Sequence, residues 1–240
     1  MRFARLVTSL ILTAHGSADP RSAASAHEVA HTIRMLRRDV DVRVAFCEQN
    51  SPNLRDVLAA AGRNSVVVPL LLADAYHARV DIPAMIRESA PTCRQADVLG
   101  EDDRLVAVLR QRLTHAGVSQ LDSDVGVLVT AVGSSRPQAN ARTTLVADYL
   151  VQHTRWTATT AFATGPHPTL ADATDILRER GATRLVIAPW FLAHGRITDR
   201  VAEYARAQQI PMAAPLGAHR LVADTVLDRF DQALAERIAA

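Results

Sequence analysis

Short apolar runs alternate along the whole chain with longer segments in which apolar residues recur at helical spacing. Continuous apolar runs separated by helical segments are typical of parallel strands covered on both faces. The pattern therefore predicts an α/β protein built on parallel sheets. The predicted strands are 6–14, 42–48, 66–72 and 96–99 in the first half, and 125–132, 157–162, 184–189 and 211–214 in the second. The predicted helices are 23–38, 53–61, 82–89, 104–116, 138–153, 169–180, 199–208 and 220–238.

The second half repeats the first in its residues as well as in its pattern. Landmark residues recur in the same order and at nearly constant separation, which indicates a duplicated domain because the period is too long for a solenoid. We therefore predict two domains, 1–118 and 119–240, with the polar stretch 117–124 as the linker between the copies. The matching landmarks are Ala14 with Ala131, Gly16 with Gly133, Phe46 with Phe162, Pro52 with Pro168, Pro69 with Pro189 and Leu99 with Leu216.

The composition excludes several classes of protein. Hydrophobic residues make up 48% of the 240 residues and charged residues 22%, as in ordinary globular proteins. The formal net charge of +2 is too small to predict a nucleic-acid or membrane partner. All 27 basic residues are arginines, so Schiff-base enzymes, pyridoxal-phosphate enzymes and Walker-type phosphate loops, which need a lysine, are excluded.

Two cysteines, Cys47 and Cys93, are too few for a disulfide framework or an iron–sulfur cluster. We expect Cys47 to be a small core thiol and the protein to work in the reducing cytoplasm. A weak signal peptide could be indicated by Arg2 and Arg5 before the apolar run 6–14. The run is short, however, and ends in a glycine turn, which favours a buried first strand. No apolar stretch approaches the roughly 20 residues of a membrane helix.

Polar side chains follow the first three strands of the first half. His15 comes after the first strand, Glu48 ends the second, and His77 lies in the loop 73–79 after the third. Because ligands of open parallel sheets bind at the carboxyl ends of the strands, we expect these side chains to converge. Two neutral imidazoles with a nearby carboxylate suit a divalent ion such as Fe²⁺, Co²⁺, Ni²⁺ or Zn²⁺. The first half is therefore predicted to hold a metal site.

The second half has lost all three of these polar groups. Val132 stands where the first half has His15, and Thr164 stands where it has Glu48. Ile197 takes the place of His77 when the longer offset of the third loop is allowed for. The turns around these positions remain, so we predict one active site per chain.

Motifs across the whole chain resemble one known family. They are Thr13-Ala14-His15-Gly16-Ser17 with Asp19-Pro20, Ala45-Phe46-Cys47-Glu48 with Pro52 and Leu54, the stretch 68–73 through Tyr76-His77 to Asp81-Ile82-Pro83, Leu99-Gly100 with Asp103-Arg104-Leu105, and Pro189-Trp190-Phe191-Leu192. This combination resembles the sirohydrochlorin chelatases (class II chelatases) in their two-copy form. The resemblance implies two similar chelatase-like half-domains, each a small parallel four-stranded sheet flanked by helices, with the cleft between them and the second copy as its other wall. The loop 73–76 lacks a glycine that the family often has.

The resemblance implies a lyase that inserts Fe²⁺ or Co²⁺ into the tetrapyrrole sirohydrochlorin, for sirohaem or cobalamin biosynthesis. Iron is the first choice, since nothing in the sequence ties the chain to the corrin pathway, and Ni²⁺ or Zn²⁺ can substitute in vitro. His15 and His77 match the metal-binding histidines of the family, and Glu48 matches its acidic partner. The metal is then a substrate, and no organic cofactor is expected. A two-copy chain can close its own cleft, so we expect a monomer.

Physical chemistry gives these residues definite tasks. Histidines can replace metal-bound water, and Glu48 can accept a displaced pyrrole proton. Because protonated imidazole does not bind metal, activity should fall below about pH 6. Sirohydrochlorin carries many carboxylates, which forked arginine contacts recognise and hydroxyls can supplement. The predicted substrate-binding residues are Ser17, Arg21, Arg79, Ser134, Ser135, Arg136 and Arg196.

Other interpretations stay open. A carrier that binds metal or tetrapyrrole without turnover needs the same histidines. A histidine phosphatase would need an arginine directly before His15, where this chain has Ala14. His194 is a candidate substrate or second metal contact, or an ordinary loop residue. His27 and His31 have a metal-like helical spacing, for which a solvent-exposed surface role is favoured.

Overall fold

The computed structural model of the protein describes residues 8–61 and 65–239, with the side chains of 237–239 left aside. The chain divides into two compact units, each built on a parallel sheet. The first unit comprises Met1–Gly100 and Val222–Ala240, and the second comprises Glu101–Leu221. In the described part of the chain, no helix combines the length and the apolar character needed to cross a membrane.

The sheet of the first unit has the strand order β2-β1-β3-β4 within the described residues. All neighbouring strands are parallel, and all six residues of β1 are buried. Thr13 of β1 is level with Ala45 of β2 and with Pro69 of β3, so these three strands end at one edge. The strands are β1 (Ser9–Ala14), β2 (Asp41–Phe46), β3 (Ser65–Pro69) and β4 (Arg94–Gln95).

Helices cover both faces of this sheet. Helix α1 (Pro20–Leu36) begins after Asp19, whose carboxylate accepts a hydrogen bond from the backbone N–H of Arg21 and so satisfies one free donor of the first turn. Helices α2 (Leu54–Ala59) and α3 (Ile82–Ser89) pack on the other side in a continuous apolar core. That core includes Ile11, Leu54, Leu58, Val67, Ile82 and Met85.

The sheet of the second unit has the order β6-β5-β7 among the described residues, again parallel throughout. All seven residues of β5 are buried. The strands are β5 (Val125–Ala131), β6 (Thr157–Phe162) and β7 (Arg184–Pro189), and the helices are α4 (Asp103–His115), α5 (Pro137–Val151), α6 (Leu170–Glu179) and α7 (Arg196–Ala207). The final helix of the chain, α8 (Arg220–Ala239), lies almost wholly in the first unit.

The predicted α/β class with parallel sheets and two similar halves is confirmed, but the fourth strands are not where the sequence placed them. In the first sheet β4 covers Arg94–Gln95 rather than 96–99, of which Ala96 and Leu99 are buried but Asp97 is exposed. The Ala96 N–H donates to the Val67 carbonyl and the Leu99 N–H to the Leu71 carbonyl, but the strand itself ends at Gln95. In the second sheet 211–214 forms only an isolated bridge between Ile187 and Met212. Pro211 has no N–H to extend that pairing. Of the predicted first strand 6–14, residues 6 and 7 lie outside the described part.

The compact units also divide the chain differently from the sequence repeat. The prediction followed the repeat, 1–118 and 119–240, whereas the units separate after Gly100 and after Leu221. Each unit thus includes the helix that ends the other sequence repeat. Helix α4, from the first repeat, belongs to the second unit, and helix α8, from the second repeat, belongs to the first. Helix α4 is held in the second unit by Arg112, which donates to the Leu216 carbonyl at 3.0 Å. Helix α8 is held in the first by Arg229, which donates to the Leu99 carbonyl at 3.0 Å.

Candidate metal centre

The loops after β1 and β2 are joined backbone to backbone, which places His15 beside Glu48. The Glu48 N–H donates to the His15 carbonyl at 3.0 Å. Gly16 has φ +99°, and a Cβ there would lie 1.8 Å from the Glu48 carbonyl oxygen, so only glycine allows this approach. As a result the His15 Nε2 lies 3.5 Å from Glu48 Oε1.

His77 arrives from the third loop at the start of a π-helical turn, His77–Asp81, which leads directly into α3. The Ile82 N–H bonds back to the His77 carbonyl, which gives the turn its wide winding. Gln95 of β4 supports it by donating to the Ala78 carbonyl at 2.7 Å. The imidazole centroids of His77 and His15 lie 3.9 Å apart, with the rings at 79°. Wide turns of this kind are frequent at functional sites.

Hydrogen bonds to both Nδ1 atoms determine which nitrogen can bind a metal. The Nδ1 of His15 lies 2.7 Å from the Gly16 carbonyl oxygen, and that of His77 lies 2.5 Å from Asp81 Oδ2. A carbonyl and a carboxylate only accept, so each Nδ1 carries a proton that it donates. The Nε2 of each neutral ring is therefore left with a lone pair for a metal, and its orientation is held from behind.

Glu48 keeps its negative charge beside the histidines. Its pKa is lowered first because the Gln49 amide donates to the carboxylate at 2.9 Å, and further by the neighbouring His15 and His77. The side chains of His15 and Glu48 are 35% and 52% exposed, and that of His77 is 37% exposed. An ion or a large flat ligand can therefore reach all three groups from solvent.

Cys47 does not belong to the ligand set, although it directly precedes Glu48. It is buried in the core of the first unit, as predicted. Burial raises the pKa of its thiol to about 12, and the nearby carboxylates of Asp81 and Glu48 add to the shift. Since the thiolate is the metal-binding form, Cys47 stays an inert core thiol at neutral pH.

Within residues 8–61 and 65–239, no three His, Cys, Asp or Glu side chains are placed to hold a metal ion together. The centre thus offers two imidazole nitrogens, from His15 and His77, with Glu48 alongside. An ion held by so few protein ligands keeps open positions for water or for a second ligand. This arrangement suits a metal that is to be passed on rather than stored.

The matching loops of the second unit have the same backbone and different side chains. The Thr164 N–H donates to the Val132 carbonyl at 3.0 Å, as Glu48 does to His15. Gly133 has φ +97°, and a Cβ on it would lie 1.8 Å from the Gly165 carbonyl oxygen. The hydrogen bonds confirm that Val132 corresponds to His15 and Thr164 to Glu48, whereas the carbonyl that faces the glycine comes one residue later in the second unit. The second unit therefore repeats the framework without its imidazole and carboxylate.

Comparison with known proteins explains the repeated framework. The family model CbiX matches the chain twice, over residues 9–116 and 126–233. The chain belongs to the CbiX family. The two matches lie within the predicted repeats 1–118 and 119–240, so each half of the sequence corresponds to one CbiX repeat.

Two curated relatives match most of this chain. A sirohydrochlorin cobaltochelatase of Priestia megaterium is 27% identical over 82% of this chain and 68% of its own length. A sirohydrochlorin ferrochelatase of the same organism is 25% identical over 88% of this chain and 85% of its own. The fold of SirB from Bacillus subtilis with Fe³⁺ matches with a TM-score of 0.79 at 20% identity, over 97% of this chain and 98% of that one.

Three predicted substrate-binding residues belong to the first unit and closely follow His15 or His77 in the chain. The Ser17 hydroxyl accepts a hydrogen bond from the Asp19 N–H at 3.0 Å. Arg21 is paired with Asp19, and Arg79 is paired with Asp74 at 2.9 Å through its Nε. The two guanidinium groups are half-exposed, so they can exchange these carboxylates for those of a ligand. Ser17, Arg21 and Arg79 stay predictions.

The other four predicted substrate-binding residues follow strands of the second sheet. The Ser134 hydroxyl accepts from the Arg136 N–H at 3.1 Å, and Ser135 is exposed in the same loop. Arg136 immediately precedes α5, and the exposed Arg196 is the first residue of α7. All four also stay predictions, as does the exposed His194.

Sequence reasoning missed Asp81 as a functional residue and treated 73–79 as a loop, whereas the π-helical turn begins at His77. The signal was present in the spacing, because residues four apart face each other on a helical turn. The exposed Tyr76, whose ring centroid lies 6.0 Å from that of His77, has no predicted role beyond its place in a family motif.

Proposed function

We propose that this CbiX family member is a lyase that inserts a divalent metal, Fe²⁺ or Co²⁺, into sirohydrochlorin, on the route to sirohaem or cobalamin. The observation that carries the proposal is the close, nearly perpendicular pair of imidazoles of His15 and His77, each with a hydrogen bond from its Nδ1 and with the Glu48 carboxylate alongside. Relatives named as sirohydrochlorin chelatases support the choice of tetrapyrrole.

The metal enters as a substrate. The Nε2 atoms of His15 and His77 replace part of its water shell, and the remaining positions stay open toward the incoming macrocycle. Asp81 does not touch the metal in this scheme. Its bond to the His77 Nδ1 orients the imidazole and keeps the proton on Nδ1, which leaves Nε2 for the metal.

Insertion exchanges one divalent ion for the two protons of the pyrrole N–H groups, so the site must dispose of protons. Glu48 is ionised, exposed and 3.5 Å from the His15 Nε2, which lets it accept a proton beside the metal and release it to water. Its exposed position favours repeated proton exchange with solvent. We therefore assign Glu48 the role of general base.

The macrocycle presents flat apolar faces and a carboxylate rim. Tyr76, directly before His77 in the chain, is 55% exposed, and Val80, three residues after His77, is 40% exposed, so each can offer an apolar contact to such a face. The Tyr76 ring stands at 88° to the His77 ring. For the rim we propose forked contacts from arginines and hydrogen bonds from hydroxyls. These residues are Ser17, Arg21, Arg79, Ser134, Ser135, Arg136 and Arg196.

Both metals belong in the proposal, because imidazole ligands suit Fe²⁺ and Co²⁺ alike and Ni²⁺ or Zn²⁺ can bind in vitro. We favour Fe²⁺ as the physiological ion. Competition between equal concentrations of anaerobic Fe²⁺ and Co²⁺, followed by mass spectrometry of the product, measures the preference. We also propose that the chain acts as a monomer in the cytoplasm, where its two buried free thiols, Cys47 and Cys93, would stay reduced.

Turnover tests the function. Purified protein at a small fraction of the sirohydrochlorin concentration, with excess Co²⁺ or Fe²⁺, should convert many equivalents of tetrapyrrole faster than the uncatalysed reaction. The absorption spectrum reports this conversion directly. A change limited to one equivalent per chain would contradict a chelatase and leave a metal or tetrapyrrole carrier.

A further inference from the structure

Helix α1 carries metal-ligating side chains that the centre at His15 and His77 does not use. His27, Glu28 and His31 form the pattern His-Glu-x-x-His, which on a helix places two imidazoles on one face. Their Cβ atoms, four residues apart, lie about 5–6 Å from each other. One ion can bridge two imidazoles at that spacing.

The helix presents this pattern to solvent. Its buried face is formed by Ala26, Val29, Ala30 and Ile33, which alternate with the ligating positions. His27, Glu28 and His31 are all exposed. The imidazoles therefore remain hydrated and accessible to an ion from solution.

Neighbouring contacts favour binding at this place. The His27 ring lies 6.0 Å from the ring of buried Phe46, which restricts the orientations of the imidazole. Arg34, the cation one turn beyond His31, donates to the Val42 carbonyl at 2.7 Å and is directed toward β2. The Glu28 carboxylate adds negative charge beside the two histidines.

We propose that His27 and His31, with Glu28 alongside, form a second, exchangeable site for a divalent transition-metal ion. Imidazole donors select borderline ions such as Co²⁺, Ni²⁺ and Zn²⁺ over Mg²⁺ or Ca²⁺. A hydrolytic centre with the same motif has a third protein ligand, and none is placed here among the described residues. Water completes the coordination, so the ion exchanges readily. The site lies on the same unit as His15 and His77.

Calorimetric titration of the full chain with Co²⁺ at neutral pH, without tetrapyrrole, tests this site. The expected result is two bound equivalents for the wild type and one for His27→Ala/His31→Ala. The variant His15→Ala/His77→Ala should keep the α1 equivalent, so the two sites are separated. Circular dichroism checks that each variant is folded.

A matched control keeps the number of histidines and changes only their spacing. In His31→Ala/Thr32→His the imidazoles are five residues apart and point to different sides of the helix, so the α1 equivalent should be lost. If this variant or His27→Ala/His31→Ala still binds two equivalents, or if His15→Ala/His77→Ala binds none, the α1 site does not exist. Failure of the chelatase proposal alone would instead appear as absent turnover with the α1 equivalent unchanged.

Discussion

The loop after β1 and the loop after β5 have nearly the same backbone and differ in their chemistry. Each begins with a buried strand, turns at a glycine of positive φ, Gly16 or Gly133, and lies against the loop that follows the next strand. The first presents His15 to Glu48, whereas the second presents Val132, which is 40% exposed, to Thr164.

The difference separates what the fold requires from what the reaction requires. The glycine and the backbone hydrogen bonds recur in both units, so they belong to the construction of a CbiX repeat. The imidazoles and the carboxylate occur in one unit, and they are the groups a metal needs. The second unit thus serves as an internal control for substitutions in the first.

Removing a metal ligand should give the largest effect. We expect His15→Ala to abolish turnover and to remove Co²⁺ binding at this centre, because one imidazole cannot hold the ion in place. Chelatase assays and metal titration measure both losses. Val132→Ala is the matched control and should leave turnover unchanged; an active His15→Ala variant would contradict the site assignment.

Replacing the carboxylate should have the next largest effect. Glu48→Gln keeps the shape and removes the base, which we expect to lower kcat by about 100-fold with a small change in metal affinity. Since the pKa of Glu48 is held below its ordinary value, the base is ionised at every pH above about 6, where neutral histidines bind the metal, so the loss should not vary with pH there. Steady-state kinetics above that pH test this, and Thr164→Ala should have no effect on rate.

Removing the Asp81 carboxylate that accepts from the His77 Nδ1 should have a smaller effect on activity. Asp81→Asn no longer offers a carboxylate to the Nδ1 proton, so we expect metal affinity or turnover to fall by about 10- to 100-fold. A role in positioning, rather than in folding alone, predicts a weaker Co²⁺ affinity at an unchanged melting temperature. An unchanged Co²⁺ affinity would show that the Asp81 bond is dispensable.

Gly16→Ala and Gly133→Ala test the shared framework. In each case a Cβ would lie 1.8 Å from a backbone oxygen, so we expect each variant to lose about 2 kcal/mol or more of its stability. Thermal unfolding measures the loss. Gly117→Ala is the control, since Gly117 has φ +84° but no atom within 4 Å of its Cβ position. We further expect Gly16→Ala to reduce turnover more than Gly133→Ala, because only the first displaces His15.

Much of the fold followed from the sequence, since burial on both faces leaves continuous apolar runs and helices leave a period near 3.6. Helix α3 has the predicted bounds, and β6 and β7 have theirs. The fourth strands were placed wrongly for a physical reason. The stretches 96–99 and 211–214 are rich in apolar residues, as a strand would be. Apolar residues do not specify which backbone N–H and C=O groups form the hydrogen bonds of a sheet, and these stretches form too few.

The candidate site was foreseen in part. Strand ends predicted that His15, Glu48 and His77 would meet, and they do, at the edge where β1, β2 and β3 terminate. Asp81 and Gln95 were not foreseen as parts of the site. Their contributions depend on a π-helical turn, and a winding that differs from the α-helix by one residue leaves no clear mark in a pattern of hydrophobic positions.

The sequence by itself determined the parallel α/β class, the duplication, and the half of the chain that holds the candidate metal ligands. Each of these properties can be recognised from short stretches of neighbouring residues or from their repetition along the chain. Only the tertiary structure decided that α4 and α8 each complete the unit of the other repeat, and which nitrogen of each histidine is free. Those outcomes depend on contacts between residues far apart in the chain, such as Arg229 with Leu99, or on the exact winding of one turn.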